Sequence, residues 1–179
     1  MELLIKNNQL IVGNESFRCA TGRNGLSKNK KEGDGCTPVG TFSFREVFYR
    51  ADKIVKPICQ LPIRELTKSD GWCDDPKDSN YNRFVMLPYA ASHEELWRKD
   101  DVYDVIVVIG YNDRPIHPGA GSAIFMHVTE GDYLATSGCV SLALDDLLKV
   151  VSNLTLQSTI RIEQAAEHPV EQISQKVER

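Results

Sequence analysis

The sequence has no long hydrophobic run and no strong excess of charge of either sign. No apolar stretch approaches the roughly 18 residues of a membrane-spanning helix, and the formal net charge is −4 over 179 residues. Lys and Arg form no stripe with interleaved aromatic residues, a pattern that marks nucleic-acid-binding surfaces. We therefore expect neither a membrane nor a nucleic acid as a partner.

The lysines form one close cluster, at Lys28, Lys30 and Lys31. The acidic Glu32 and Asp34 follow at once, so the charges of this segment largely cancel. A mixed charge run of this kind is typical of a solvated loop. We expect these lysines to face water rather than a ligand.

The N-terminus lacks the features of a secretory signal. Residues 1–8 contain no basic start, no apolar core and no small-residue cleavage site, all of which such a signal needs. As written, the chain is expected in the cytoplasm, or outside the inner membrane if a signal has been removed.

Cysteine pairs, metal motifs and phosphate loops are also missing. The five cysteines are odd in number and form no Cys-x-x-Cys pair, so neither a disulfide framework nor a structural zinc site is expected. Gly33-Asp34-Gly35 is followed by neither the Lys-Ser/Thr nor the helix of a phosphate-binding loop. The sequence predicts reduced thiols, no metal and no cofactor.

The pattern that is present is rich in short β-type runs. Loops are predicted at 21–37, 68–84 and 115–121, where Gly, Pro, Asn and Asp are frequent. Alternating or β-branched apolar runs between the loops predict strands. The predicted strands are Glu2–Lys6, Gln9–Val12, 16–20, 41–48, Val105–Ile109, 123–128 and 159–163.

Two helices complete the predicted elements. A Ser-to-Glu capping box predicts a short helix at 92–99, and amphipathic spacing predicts another at 143–154. Together with the strands they indicate a mainly β (α+β) fold, with one domain over 1–165 and a polar tail over 166–179.

The residues suited to chemistry lie between 127 and 141. His127 comes near the end of a predicted strand, and Thr136-Ser137-Gly138-Cys139 precedes the second helix, for which Ser141 is a candidate N-cap. An imidazole beside a thiol favours the thiolate and can later protonate a leaving amine. The glycine lets backbone amides form an oxyanion hole, and a helix N-terminus would add positive potential. Spacing alone leaves open a core histidine and a buried cysteine without function.

Two separated motifs resemble the L,D-transpeptidase catalytic domain (YkuD) family. His127, a loop and Thr136-Ser137-Gly138-Cys139 resemble the family signature of a His, a loop and Ser/Thr-x-Gly-Cys. Residues 32–42, which read Glu-Gly-Asp-Gly-Cys-Thr-Pro-Val-Gly-Thr-Phe, resemble its Thr-Pro-x-Gly-x-Phe turn and strand in the form with Glu-Gly-Asp-Gly before it. The resemblance covers roughly residues 10 to 163.

The resemblance implies a β-sandwich of mixed sheets with a few capping helices, and enzymes that act on peptidoglycan stem peptides or muropeptides. In such enzymes the cysteine attacks the carbonyl of the third residue and expels the D-amino acid after it. The acyl-enzyme then passes to a D-amino acid or another amine, or to water, which gives L,D-carboxypeptidase activity. By position, Cys139 is the nucleophile, His127 is the base, and Gly138 with the amides around it forms the oxyanion hole. Thr136 takes the hydroxyl position of the motif.

Three positions depart from the family's common pattern. Val128 stands where many members have Gly after the histidine, Ser137 where many have His or Lys before the glycine, and Ser141 where many have Arg two residues after the cysteine. They indicate a divergent subgroup, and the missing arginine removes a usual substrate contact.

A substrate carboxylate still needs a cation, and Arg binds carboxylates through two hydrogen bonds. Arg83 is our candidate, Tyr111 and Asn112 could line the same cleft, and His117 could face it. For each of the four, a surface or structural role is the alternative.

Other functions stay open at this point. A cytoplasmic location favours hydrolysis of muropeptides or D-amino-acid exchange over cross-linking. A thiol amidase of another type, such as the papain-like enzymes, has its histidine after the cysteine, whereas His127 precedes Cys139. A non-catalytic wall-binding module of the same fold is the third alternative.

Overall fold

Fourteen strands and one helix are found in residues 1–164, the part of the chain that the computed structural model describes. The helix is α1 (Leu144–Val151). The strands are β1 (Glu2–Lys6), β2 (Gln9–Val12), β3 (Glu15–Arg18), β4 (Leu26–Ser27), β5 (Thr37–Pro38), β6 (Gly40–Tyr49), β7 (Ile63–Glu65), β8 (Asp70–Cys73), β9 (Arg83–Met86), β10 (His93–Glu95), β11 (Val105–Ile109), β12 (Phe125–Val128), β13 (Val140–Leu142) and β14 (Thr159–Ile162).

Nine strands form one mixed sheet. Its order is β13-β12-β11-β6-β14-β1-β2-β3, and β7 also pairs with β6. The pairs β1–β14, β12–β13 and β6–β7 are parallel, whereas the other pairs of this sheet are antiparallel. A smaller antiparallel sheet has the order β10-β8-β9. The predicted mainly β fold of mixed sheets is confirmed, with a single helix in the described residues instead of the few that the resemblance implied.

The large sheet is covered on both faces, as β11 shows. All five residues of β11 are buried. Since alternate side chains of a strand point to opposite faces, both faces must be covered. The odd-numbered residues belong to one apolar cluster with Leu147 of α1. The even-numbered residues belong to a second cluster with Trp72 of β8 and with Leu96. The sheet is therefore sandwiched between α1 and the three-stranded sheet.

The helix predicted at 92–99 is wrong. Strand β10 occupies its first half and pairs with β8, and the Leu96 N–H donates to the Asp70 carbonyl oxygen at 3.0 Å. An isolated segment of this length is too short to hold a helix by its own hydrogen bonds. The edge of β8 supplies partners that the local sequence does not reveal. For the same reason the predicted loop 68–84 contains β8.

The second predicted helix is confirmed, but it is shorter and begins later than expected. Its N-cap is Ala143, without a side-chain hydrogen bond, and Ser141 lies in β13, so the N-cap prediction for Ser141 is wrong. Helix α1 packs on the face of the sheet opposite Cys139. Its N-terminus therefore does not supply the positive potential that was expected at the thiol.

The predicted boundary at 165 and the polar tail 166–179 fall outside the described residues, so this division stays a prediction. Within residues 1–164, no helix combines the length and the apolarity needed to cross a membrane.

The packing of α1 against the sheet predicts a large energetic difference between two leucines. Leu147 is fully buried, whereas Leu156 is 58% exposed. We expect Leu147→Ala to lower the free energy of unfolding by about 2–5 kcal/mol, because it leaves a cavity in the core. Leu156→Ala is the matched control and should change it by about 0.5 kcal/mol or less. Urea unfolding measures both, and equal effects would contradict this packing.

Candidate active site

A cleft of about 1060 Å³ opens beside β12 and β13, on the face of the large sheet that the smaller sheet covers in part. Both His127 and Cys139 line this cleft. The Thr136–Gly138 loop forms one wall, and residues 94–103 form another. The structure thus brings together all five residues that the sequence predicted for the nucleophile, the base and the nucleophile loop.

His127 is held in one orientation in β12. Its Nδ1 atom lies 2.8 Å from the Val128 carbonyl oxygen, and its ring packs edge-on against Tyr103 with the centroids 5.4 Å apart. A carbonyl oxygen can only accept, so we assign the hydrogen to Nδ1, which leaves the lone pair of Nε2 as the basic site. Burial lowers the pKa of His127 to about 4, against a smaller upward effect of the Val128 hydrogen bond. The imidazole is therefore neutral at neutral pH.

Cys139 is buried and protonated. Its thiol accepts a hydrogen bond from the Phe125 N–H at 3.3 Å and donates to the Ala123 carbonyl oxygen at 3.2 Å. Burial raises the pKa of the thiol to about 12, and the negative charge of Glu94 adds to the rise. The Phe125 N–H and the Lys30 ammonium act in the opposite direction. The resting pair is therefore a thiol and a neutral imidazole.

Strand register explains why the two side chains share the cleft. In the parallel pair β12–β13, His127 lies opposite Ser141. Cys139, two residues earlier, therefore lies beside Phe125 and on the same face as His127, since residues two apart point the same way. The thiol donates to Ala123 rather than to the imidazole. Catalytic hydrogen bonds often tighten only when substrate is bound.

The nucleophile loop is shaped by Thr136 and Gly138. The Thr136 hydroxyl donates to the Cys139 carbonyl oxygen at 2.7 Å and accepts from the Gly138 N–H at 3.1 Å. Gly138 has a φ of +144°, and a Cβ there would lie 2.8 Å from the Cys36 carbonyl oxygen, so only glycine fits. Within the described residues the Cys139 N–H has no acceptor. It is therefore the better candidate for an oxyanion donor than the Gly138 N–H, which is already used.

The Thr-Pro motif meets the nucleophile loop in space. The Thr37 hydroxyl accepts from the Gly22 N–H at 2.8 Å and donates to the Cys139 carbonyl oxygen at 3.4 Å. Thr37 and Thr136, about a hundred positions apart in the chain, thus both donate to the Cys139 carbonyl oxygen. The segment before Gly22 also pairs with β13, through Ala20 and Ser141.

The first two residues of the Glu-Gly-Asp-Gly motif, Glu32 and Gly33, line the neighbouring wall of the cleft. The Asp34 carboxylate accepts from the N–H groups of Lys31 and Cys36 at 2.7 and 2.8 Å, and from the Lys30 ammonium at 2.8 Å. Burial opposes ionisation of Asp34, but these hydrogen bonds outweigh it and lower its pKa. Glu32 accepts from the Ser122 hydroxyl at 2.7 Å. Together these bonds give the loop a defined shape.

The predicted substrate-binding residues lie elsewhere. Arg83 and Tyr111 line a second cleft of about 410 Å³. The Asn112 side chain holds its own loop, since it donates to the Gly121 carbonyl oxygen and accepts from the His117 N–H. His117 is exposed and lines neither cleft. The structure therefore does not bring these four residues to Cys139, because a position in or near a predicted loop does not show which cleft that segment lines.

Sequence reasoning missed several side chains of the cleft. Arg23 donates to the Ser137 hydroxyl at 2.9 Å, and Glu94 accepts from the Tyr103 hydroxyl at 2.7 Å. The prediction that the lysine cluster faces water is wrong for Lys30, because only 9% of this residue is exposed. The position of Lys30 just before the Glu-Gly-Asp-Gly motif was the one feature of the sequence that could have indicated its place in the cleft. No feature of the local sequence indicates Glu94 or Tyr103, since tertiary contacts alone bring them to the site.

The described residues contain no group of three or more His, Cys, Asp or Glu side chains placed to hold a metal ion. All five cysteines are free thiols. The chemistry of the cleft is therefore considered from the thiol, the imidazole and the charged side chains around them.

The low pKa of His127 predicts a loss of stability in acid. The unfolded imidazole titrates near pH 6.5 and the folded one at about 4. Between these values the unfolded chain binds the extra proton, so stability falls as the pH falls, by up to about 3 kcal/mol. In His127→Asn this loss should disappear, whereas the exposed His117→Asn should follow the wild type. Urea unfolding at several pH values measures it, and parallel curves for wild type and His127→Asn would contradict the burial of a neutral imidazole.

Comparison with known proteins identifies the family of the chain. The family model of the L,D-transpeptidase catalytic domain (YkuD) matches residues 2–162. Neither the curated proteins nor the solved structures contain a match. The matched range holds both motifs and most of the chain, and the chain therefore belongs to the L,D-transpeptidase catalytic domain family.

Proposed function

We propose that the chain is a cysteine-dependent acyltransferase that acts on peptidoglycan stem peptides. In this proposal Cys139 attacks the carbonyl carbon of the third stem residue and expels the D-amino acid that follows. The acyl group then passes from the thioester to an amine or to water. The family acts on peptidoglycan stem peptides, and the chemistry below concerns how this chain would do so.

One observation carries the proposal. Cys139 and His127 lie on the same face of β12–β13 and line one cleft. The Val128 carbonyl oxygen accepts from His127 Nδ1, which leaves His127 Nε2 to take a proton. A thiol that shares a cleft with an oriented, neutral base is the arrangement that nucleophilic acyl transfer needs.

The first step starts from the neutral pair. As the Cys139 sulfur bonds to the substrate carbonyl carbon, its proton passes to His127 Nε2, and the carbonyl π electrons move to oxygen. In this proposal the Cys139 N–H donates to that oxyanion. When the tetrahedral intermediate collapses, the C–N bond breaks and the imidazolium returns its proton to the leaving amine. The thioester and a neutral imidazole remain.

The second step repeats the chemistry in reverse. An acceptor amine or a water molecule attacks the thioester, gives a proton to Nε2, and the thiol leaves with a proton. An amine acceptor gives exchange or cross-linking, whereas water gives L,D-carboxypeptidase activity. The same two residues serve both outcomes, so the acceptor that reaches the thioester decides between them.

The charge of the cleft supports a zwitterionic peptide as the substrate. Its walls carry both cations and carboxylates in reach of the same space. The cations are Arg23, Lys30, Lys68, Arg98 and Lys99, and the carboxylates are Glu32, Glu94, Glu95, Asp100 and Glu130. Stem peptides carry free carboxylates and amines, so mixed walls can bind both kinds of group. Arg23 is close to the nucleophile loop and takes over from Arg83 as our candidate for a substrate carboxylate.

The test is mass spectrometry of purified disaccharide-tetrapeptide after incubation with the wild type and with Cys139→Ala, with and without an added D-amino acid. We expect tripeptide, exchanged tetrapeptide or cross-linked dimer from the wild type. Cys139→Ala should lower the rate by at least about 1000-fold, because the first step forms and the second step breaks a bond to the Cys139 sulfur. The product identifies the preferred acceptor.

Cys59→Ala is the matched control, because Cys59 lies outside the cleft and should keep wild-type activity. Equal turnover by wild type and Cys139→Ala would overturn the proposal. The absence of any product, under conditions in which an active relative gives product, would favour the wall-binding module.

A further inference from the structure

Lys30 is a buried cation in the wall of the cleft that contains Cys139. Only 4% of its side chain is exposed. Its ammonium donates to the Asp34 carboxylate at 2.8 Å and to the Lys31 carbonyl oxygen at 3.3 Å. Lysine is almost never this buried without a partner, and here the partner belongs to the Glu-Gly-Asp-Gly motif.

The Lys30 side chain extends so that its ammonium lies beside the nucleophile loop. The alkyl chain passes Gly121, where a Cβ would lie 2.9 Å from Lys30 Cε. The ammonium ends at Gly138, where a Cβ would lie 3.5 Å from Nζ. Two glycines thus leave room for the lysine, and its charge lies beside the residue that precedes Cys139.

The other groups around the thiol do not favour a negative charge on sulfur. Glu94 on β10 is acidic, Tyr103 and His127 are neutral, and the site is buried. The Phe125 N–H is the neutral donor to Sγ. Of the side chains that influence the thiol, Lys30 is the one that lowers its pKa.

We propose that Lys30 is a positioning residue whose buried ammonium, held by Asp34 beside Gly138, stabilises the negative charge that forms on Cys139 as its proton moves to His127. The charge stays on Lys30 throughout, and no bond to it is made or broken. Asp34 has two effects: it holds the ammonium in place and offsets part of its potential. The inference rests on the proposed role of Cys139 as a nucleophile.

The experiment is the rate of alkylation of Cys139 by iodoacetamide, followed as the mass of the proteolytic peptide that contains it, between pH 7 and 10. The thiolate is the reacting form, so below its pKa the rate is proportional to the thiolate fraction. A shift of one pKa unit changes the rate about tenfold. This measurement needs no stem peptide.

Two variants should move the rate in opposite directions. Lys30→Met removes the cation and should slow alkylation about three- to tenfold at each pH. Asp34→Asn keeps the cation and removes the opposing charge, so alkylation should become several-fold faster. A merely structural ion pair would loosen in both variants and shift the rates in the same direction. Lys30→Arg should restore the rate to within about twofold, and the exposed Lys31→Met is the matched control and should match the wild type.

Thermal unfolding of each variant shows whether it is folded. If Lys30→Met does not fold, Lys30→Gln takes its place, and if neither folds, the Asp34→Asn rate decides. A wild-type rate in a folded Lys30→Met, or a rate in Asp34→Asn that is unchanged or slower, would overturn the inference.

The two proposals fail separately. If the wild type converts muropeptides but Lys30→Met alkylates at the wild-type rate, only the role of Lys30 is wrong. If no muropeptide is converted but the two variants shift alkylation in opposite directions, Lys30 still acts on the thiol, and it is the proposed substrate that is wrong.

Discussion

Strand β13 pairs in parallel with β12 at one edge of the large sheet, and the candidate site depends on this pairing. It is only three residues long, and the Ala20–Ser141 bridge covers its outer side. Parallel neighbours need a crossover connection, so the chain must leave the sheet after β12 and return to its edge. Cys139 stands at the point of return, on the face that His127 already occupies. The two side chains proposed as base and nucleophile thus share one cleft because of backbone register, and the thiol donates its hydrogen bond to Ala123 instead of to the imidazole.

Burial determines which groups of this site carry a charge. It keeps the thiol of Cys139 and the imidazole of His127 neutral at rest, which avoids leaving an isolated charge in a low-dielectric space. The same low-dielectric surroundings strengthen the electrostatic interaction of the site with any charge that lies nearby. A single ammonium at Lys30 or carboxylate at Glu94 therefore has more influence on the sulfur than it would have at the surface. Cys139 and His127 share one face of the β12–β13 pair, whereas Lys30 and Glu94 reach the same cleft from other segments of the chain.

The strands were predictable where the local pattern was strong. Val105–Ile109 is a continuous apolar run, and a strand buried on both faces needs such a run. The segment 92–99 was not predictable, because its polar and acidic residues suit a helix cap as well as a strand beside β8. Lys30 was misjudged for a similar reason. Its neighbours in sequence are charged and solvated, whereas its neighbours in space are two glycines and a carboxylate.

The sequence by itself determined the residue types of the chemistry and the order in which they occur. A histidine, a hydroxyl, a glycine and a cysteine at close spacing, with a Thr-Pro motif far upstream, were enough to show the resemblance to the L,D-transpeptidase catalytic domain family. Only the tertiary structure decided which charged side chains share the cleft, because walls are assembled from segments that are distant in the chain. Arg83 and Tyr111 therefore lie in another cleft, and Lys30 lies beside Gly138: contacts across the sheet, and not separation along the chain, determine the distance between two charges.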